Sequence, residues 1–258
     1  MSESRTGWLG LDNKAVVVAG AGGIGTATAI GYAVNGAQIL IVDNNSDRLK
    51  TAVEEISAAA PDAKVSGFQA DLTEVGSGET VVQYATTHLG GVDVLLHAVG
   101  INDRRPILEF TAEEWDRVVR VNLGTAFELA QAAGRHMVKK GRGRIVMLSS
   151  VSGLLAHAKH GPYAVSKGGI NQLVRVMARE WASHGVTVNA IAPGYIETNL
   201  TAEHLAKPGI REGLVELVPA GRLGTPDEVV GPILFLSSEH SGFVTGHIMY
   251  VDGGRTLV

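Results

Sequence analysis

Seven short runs of apolar residues recur along the chain, at Ala15–Ala19, Gln38–Asp43, Lys64–Ala70, Asp93–Ala98, Arg144–Ser150, Val186–Ala192 and His247–Val251. Most are rich in Val and Ile and too short for a helix, which reads as strand. Nearly continuous apolar character along a strand means burial on both faces, the mark of a parallel sheet covered by helices. The segments between them, Ser46–Ala60, Thr111–Val121, Ala126–Lys140 and Tyr163–His184, have helical length and spacing. Ser, Thr, Asp or Pro often stands at their starts. Strand alternating with helix predicts an α/β fold in which helices flank both faces of a mostly parallel sheet and ligands gather at the carboxyl ends of the strands.

Composition narrows this picture. With 258 residues, 45% of them apolar, the chain has the size of one α/β domain, 1–258, with a sizeable core. Neither an internal repeat nor a linker interrupts it. The polar stretch Glu197–Ala220, with Pro208, Gly209 and Pro219, follows a strand end and is expected to act as a substrate lid. A net charge of -4 offers nothing for nucleic acid, and the absence of cysteine excludes disulfides, a thiol nucleophile and thiolate metal sites. The start of the chain, Met-Ser-Glu-Ser-Arg-Thr-Gly-Trp, has no apolar signal pattern, and no run is long enough for a membrane span, so a cytoplasmic protein is expected.

The first strand leads into Gly20-Ala21-Gly22-Gly23-Ile24-Gly25, which opens a helix. Glycines there allow a tight turn and a close approach to a pyrophosphate, whose charge the helix N-terminus stabilises. Asp43, 18 residues after Gly25, closes the second strand, where a carboxylate can accept both ribose hydroxyls of NAD. The same carboxylate would repel the 2′-phosphate of NADP, and no basic residue stands immediately beside it in sequence, so NAD is the expected cofactor. Alternatively, Asp43 caps the helix that starts near Ser46. Asp71 and Leu72, closing the third strand, are candidates for the adenine edge, although Asp71 equally suits a loop cap. These features make the sheet a Rossmann-type, doubly wound, seven-stranded one.

Tyr163 and Lys167 lie four apart in Gly-Pro-Tyr-Ala-Val-Ser-Lys, and Ser150 stands thirteen residues before Tyr163 at the end of Arg144-Ile-Val-Met-Leu-Ser-Ser150. Residues four apart share a helix face, so the ammonium of Lys167 can sit beneath the phenol. A neighbouring cation favours phenolate and is expected to lower the Tyr163 pKa, making a proton carrier near neutrality. Nine histidines are present, yet His157 and His160 have no Cys or acidic partner nearby, so no metal site is expected. Those two histidines should instead wall a substrate cleft. Arg104 and Arg105 either present guanidinium to a carboxylate or polyhydroxylated substrate or are solvated. Lys139, Lys140, Arg142 and Arg144 read as a solvated helix end.

Taken together, the glycine loop, Asn122, Ser150, Tyr163, Lys167, Pro193-Gly194 and Val244-Thr-Gly-His-Ile-Met-Tyr-Val-Asp-Gly-Gly254 resemble the short-chain dehydrogenase/reductase family over nearly the whole chain. The resemblance implies that Tyr163 is the acid/base, that Lys167 lowers its pKa and binds the nicotinamide ribose, that Ser150 bonds the substrate oxygen and that Asn122 anchors a water in the proton path. It also implies cofactor contacts from Ala98, Gly100, Pro193, Gly194, the Ile196 backbone and Thr198, a small-molecule substrate met by Arg104, Ser150, His157, Tyr163 and Tyr195, and a homotetramer. Two departures stand out. The family's Thr-Gly-x-x-x-Gly-x-Gly loop is one residue shorter here, with Ala19 in place of Thr, and its Asn-Asn-Ala-Gly reads His97-Ala98-Val99-Gly100, so His97 is expected to be a packed, hydrogen-bonded substitute.

Gly100-Ile-Asn-Asp-Arg-Arg-Pro, Pro193-Gly-Tyr-Ile-Glu-Thr-Asn and Pro219-Ala-Gly-Arg-Leu-Gly are similar to gluconate and deoxygluconate dehydrogenases. The implied activity is NAD-dependent interconversion of a secondary alcohol and a ketone, or of a lactol and a lactone, on a sugar, sugar acid or polyol. Reduction of a 3-oxoacyl thioester is the alternative, although such reductases usually take NADPH, which Asp43 disfavours. A catalytically silent NAD-binding scaffold ranks below both, because Tyr163 and Lys167 are present.

Overall fold

A computed structural model describes residues 7–258; Met1–Thr6, which carry most of the polar N-terminal stretch, lie outside the described residues. The strands are β1 (Ala15–Ala19), β2 (Gln38–Asp43), β3 (Val65–Gln69), β4 (Val94–His97), β5 (Gly143–Leu148), β6 (Val186–Pro193) and β7 (Ile248–Val251). The helices are α1 (Gly23–Val34), α2 (Ser46–Ala59), α3 (Ser77–Leu89), α4 (Ala112–Val119), α5 (Thr125–Lys140), α6 (Gly161–Trp181), α7 (Asn199–Leu205), α8 (Ile210–Glu216) and α9 (Pro226–Ser237).

All seven strands pair in parallel, in the order β3-β2-β1-β4-β5-β6-β7. The expectation of a mostly parallel sheet is thus exceeded. From β1 the chain winds one way to β3 and then returns to β4 on the other side, so a crevice opens where β1 and β4 part at their carboxyl ends. Successive residues of a strand point to opposite faces, and β1 feeds two cores. Val17 and Ala19 pack with residues of α3, α5 and α6, while Val16 and Val18 pack with residues of α1, α2 and α9.

Three differences from the sequence reading have local causes. The helix expected over Thr111–Val121 stops at Val119 and passes through a π turn, Arg120–Gly124, directly into α5. β5 ends at Leu148: Ser149 still donates its N–H to the Ile191 carbonyl of β6 at 2.7 Å, and Ser150 turns the chain into a 3₁₀ turn at Val151–Gly153, where its hydroxyl accepts the Ser152 N–H. The basic cluster is a solvated end only in part: Lys139 is exposed, but Lys140 donates to Asp93 at 2.8 Å, Arg142 lies 3.6 Å from the same carboxylate, and half-buried Arg144 donates to the Ser238 carbonyl at 3.1 Å. Asp93 also accepts the Ala15 N–H, so these cations tie α5 to the start of the sheet.

The stretch Glu197–Ala220 contains α7 and α8, and an Arg211–Glu197 ion pair of 2.5 Å ties α8 to the segment leaving β6. Among the described residues, no helix is long and apolar enough to cross a membrane, and no group of three or more His, Cys, Asp or Glu could hold a metal.

Candidate active site

A cavity of about 860 Å³ runs along the carboxyl edge of the sheet. At its centre the glycine loop leaves β1. Gly20 has φ +101°, and a Cβ there would meet the Ala98 carbonyl carbon and oxygen at 2.9 Å. A Cβ on Gly25 would be driven into the Gly20 carbonyl oxygen. Both positions therefore demand glycine, and the first turn of α1 can lie flat on the loop. Gly22 caps α1 without a side chain, and no acidic residue occupies the first turn. The open N–H groups and the helix dipole are left for an anion in the cavity.

Asp43 lies at one end of the cavity, 6% exposed. Its Oδ2 accepts from the Ala21 N–H at 2.8 Å and Arg48 Nε at 3.0 Å; its Oδ1 accepts from the Asn45 N–H at 2.9 Å and Arg48 Nη2 at 2.5 Å. Burial pushes the carboxyl up, but the hydrogen bonds from Arg48 and the two backbone amides outweigh it, and the group lies below the ordinary carboxylate range. A basic residue does stand beside Asp43, then, contrary to the sequence reading: Arg48 folds back from the first turn of α2. The capping alternative also fails, because Asn45 is the N-cap of α2 and accepts the Arg48 N–H at 2.8 Å. Asp71 lines the same end beside buried Leu72, with its Oδ1 occupied by the Thr73 N–H and hydroxyl at 2.8 and 2.7 Å. Its loop-closing role is therefore realised.

The other end is built from β4, β5 and α6. Ala98 and Gly100 line the cavity between the two ends; Ser150, Tyr163 and Lys167 line the far end with Pro193, Gly194, Ile196 and Thr198. Lys167 is 3% exposed, and Nζ donates to the Leu148 carbonyl at 2.7 Å while sitting 5.7 Å from the Tyr163 ring centre. Burial pushes its pKa down to about 8. Against the expectation of a lowered Tyr163 pKa, the balance at the phenol runs upward. Burial raises the phenol, and the groups that pull against it are the Ser150 hydroxyl and the Arg104 charge. One of the three Lys167 N–H groups is taken by the Leu148 carbonyl.

Asn122 is fully buried in the π turn and forms no part of the cavity wall. Its Oδ1 accepts from the Ile101 N–H at 2.8 Å, and both hydrogens of Nδ2 are used, toward the Ile101 carbonyl and Ser166 Oγ at 3.0 Å each. The side chain thus clamps the loop after β4, which passes Lys167 at Gly100. Fully buried His97 bonds Thr125 Oγ1 at 2.9 Å, the packed substitute foreseen for that position.

Arg104, His157, His160 and Tyr195 lie outside the cavity lining but border its catalytic end. Arg104 Nε donates to His160 Nε2 at 3.0 Å, and the His160 ring centre is 6.0 Å from that of Tyr163. Burial and the neighbouring Arg104 hold His160 down at about 4, so it is neutral. His157 bonds Ser152 Oγ at 2.8 Å and the Tyr195 hydroxyl at 3.3 Å. The two arginines part company. Arg105 pairs with Asp103 and Glu114 and stacks on Phe110, which removes it as a substrate ligand, whereas Arg104 is held on His160, the neighbour of Tyr163, and its charge pulls the phenol's pKa down. Sequence reasoning missed Arg48, Asn44, Thr73 and Thr201, all of which line the cavity.

The layout of a phosphate cradle, a carboxylate at one end and a phenol with lysine and serine at the other has clear relatives. The model of a family described as "Enoyl-(Acyl carrier protein) reductase" matches residues 18–256. The chain is 37% identical over 248 residues to the 5-keto-D-gluconate 5-reductase of Escherichia coli (strain K12), covering 96% of this chain and 97% of that protein. It is 35% identical over 248 residues to a 3-oxoacyl-acyl-carrier-protein reductase of Thermotoga maritima, covering 96% and 99%. The structure of a gluconate 5-dehydrogenase from Burkholderia cenocepacia J2315, in complex with NADP and tartrate, matches with a TM-score of 0.89 and 34% identity over 96% of each chain. The chain belongs to the short-chain dehydrogenase/reductase family of NAD(P)-dependent oxidoreductases. The glycine cradle, the open N-terminus of α1 and Lys167 fit a nicotinamide dinucleotide.

Proposed function

We propose that the protein interconverts a secondary alcohol and a ketone on a sugar acid or related polyol, with NAD as hydride carrier. The observation that carries this reading is the convergence of Ser150, Tyr163 and Lys167 on one end of the dinucleotide-sized cavity, with Arg104 held on His160 at its border. The nicotinamide, when bound, supplies the hydride acceptor or donor. The chain's residues manage the proton and the oxygen.

In the oxidising direction the Tyr163 phenolate accepts the proton of the substrate hydroxyl and becomes phenol as the carbinol carbon loses its hydride, and in reduction the phenol gives that proton to the carbonyl oxygen and becomes phenolate. Ser150 hydrogen-bonds the oxygen as its charge changes. The Lys167 ammonium, fixed on the Leu148 carbonyl, supplies a positive field beneath the phenolate that forms. Asn122 keeps the Gly100–Ile101 backbone in register with Lys167. Arg104 can pair with a carboxylate presented beside the reacting carbon, a geometry suited to a sugar acid. The names of the Escherichia coli and Burkholderia relatives support that substrate class.

Reduction of a 3-oxoacyl thioester is the second reading, favoured by the description of the matching family model and by the Thermotoga relative. The polar wall of Arg104, His157, His160 and Tyr195 argues against an acyl chain at that position. The test is the appearance of reduced nicotinamide with NAD and with NADP against sugar acids, aldoses, polyols and simple secondary alcohols, alongside acetoacetyl thioester reduction. Turnover confined to the thioester would overturn the first reading. The family resemblance also leads us to propose a cytoplasmic homotetramer, consistent with the exposed Phe127 on α5; a monomeric mass in light scattering would refute the assembly.

A further inference from the structure

We infer that Arg255 is a positioning residue for the substrate wall: from the turn after β7 it fills the last acceptor position of the Tyr195 oxygen, so that the Tyr195 hydroxyl can only donate, to a second substrate oxygen in the cleft. The identity of that oxygen rests on the sugar-acid reading of the site, whereas the hydrogen-bonded chain behind Tyr195 does not.

The turn is held independently of the Arg255 side chain. Asp252, just after β7, accepts the Gly254 and Thr256 N–H groups at 2.9 and 2.8 Å. Gly194 donates its N–H to the Val251 carbonyl at 2.9 Å, and a Cβ on it would meet the Asp252 Cα at 2.8 Å, so the segment leaving β6 lies against the turn, backbone to backbone. Tyr195 is the next residue, between Gly194 and Ile196, which both line the cavity. Arg255 Nε points its N–H at the Tyr195 oxygen from 3.5 Å, while Nη1 donates to a main-chain oxygen of Val258 at 2.8 Å and holds the fork in place.

Direction in the chain follows from which groups must donate. A guanidinium has no acceptor, so Tyr195 accepts from Arg255. On its other side, His157 meets the Tyr195 hydroxyl at 3.3 Å through Nε2 and Ser152 Oγ at 2.8 Å through Nδ1. Ser152 is buried, and a hydroxyl hydrogen aimed away from His157 would be left unpaired there. That hydrogen therefore goes to Nδ1. Burial, with the Arg255 charge nearby, lowers the His157 pKa and keeps the ring neutral. A neutral ring that accepts at Nδ1 carries its proton on Nε2 and donates to Tyr195. Two donors then converge on one phenol oxygen and use both of its lone pairs, which leaves the hydroxyl hydrogen for the cleft. Tyr195 thus suits a carboxylate, carbonyl or hydroxyl oxygen of a polyhydroxylated acid, besides the oxygen that Tyr163 and Ser150 handle. Without Arg255, the phenol regains a lone pair and can turn its hydrogen to His157, which would then carry its proton on Nδ1.

Nitrogen NMR of histidine-labelled protein at neutral pH reads the His157 tautomer without any substrate, and a His157→Gln sample assigns its signal. Wild type should show the Nε2–H form. Arg255→Ala should move the signal toward the Nδ1–H form at an unchanged Tm, and Arg255→Lys should keep most of the wild-type signal. An Nδ1–H form in wild type, or a signal that Arg255→Ala leaves unmoved, would overturn the inference. With 5-keto-D-gluconate as the probe, Arg255→Ala and Tyr195→Phe should each raise KM about two- to tenfold and lower kcat less, and the double variant should match Tyr195→Phe. Additive losses in the double variant would overturn the shared action. The expected tautomers without turnover of 5-keto-D-gluconate would count against the sugar-acid reading and leave the role of Arg255 standing.

Discussion

Lys167→Met removes a charge that the fold holds at a cost, and that cost has a pH signature. The Lys167 ammonium is buried with the Leu148 carbonyl as its hydrogen-bond partner, and its pKa lies at about 8 against 10.5 for the free group. At about 1.4 kcal/mol per pH unit, this difference makes the charged side chain a burden on the order of 3 kcal/mol below pH 8. Between the two pKa values the unfolded chain binds more protons than the folded one, so wild-type stability rises with pH through that window. The burden is complete below pH 8 and gone above about 10.5. From about pH 7 to about pH 9 the wild type should recover on the order of 1 kcal/mol. Methionine has similar length and no charge, although it leaves the Leu148 carbonyl unpaired at a cost of about 1–3 kcal/mol. Those two terms nearly offset at neutral pH, so the pH dependence is the readout. Urea unfolding followed by circular dichroism, at one protein concentration, should show the stability of Lys167→Met relative to wild type falling by on the order of 1 kcal/mol between the two pH values. Every other titration is shared by the two proteins, and a difference that does not change with pH would refute the buried-ammonium argument.

Tyr163→Phe should lower kcat by about 10²–10⁴ with unchanged dinucleotide affinity, since it removes the proton carrier and nothing else; near-normal turnover would refute the mechanism. Gly25→Ala should abolish dinucleotide binding in a fluorescence titration, because the added methyl collides with the Gly20 carbonyl and lifts α1 off the loop. Arg104→Ala should raise KM for sugar acids about tenfold and leave neutral polyols nearly unaffected, as expected for loss of a charged partner. The same change removes a cation that lowers the Tyr163 pKa, so the pH profile of alcohol oxidation should move to more alkaline values; an unmoved profile would separate Arg104 from the phenol.

The strands were legible because parallel strands buried on both faces are written as unbroken apolar runs. β1 and β2 coincide residue for residue with the runs Ala15–Ala19 and Gln38–Asp43. The cavity lining was legible where backbone geometry dictates the residue, as at Gly20 and Gly25, or where a fixed helical spacing carries the chemistry, as at Tyr163 and Lys167. The π turn at Arg120–Gly124 was not, because one widened turn leaves the apolar period of the neighbouring helices almost unchanged. Glu197–Ala220 hid two seven-residue helices for a related reason: such short pieces have too few positions to display a period.

What stayed hidden in the site follows a single physical rule. Asp43, Tyr163 and Arg105 were each assigned a behaviour from their own type and immediate neighbours, and each behaviour depends on a partner reached through space. Arg48 returns across the turn between β2 and α2 to meet Asp43, Arg104 reaches from the loop after β4 to His160 beside Tyr163, and Asp103 with Glu114 takes Arg105 away. Long flexible cations span such distances without any periodic spacing, so no sequence window contains the pairing. Burial then decides the outcome. The Asp43 carboxylate stays charged because four donors offset its desolvation, whereas the Tyr163 phenol, helped by Ser150 and one cation, is still pushed upward. The ionisation that adapts this cavity to its cofactor and its proton is thus a property of tertiary packing, laid over a backbone frame that the apolar pattern already specifies.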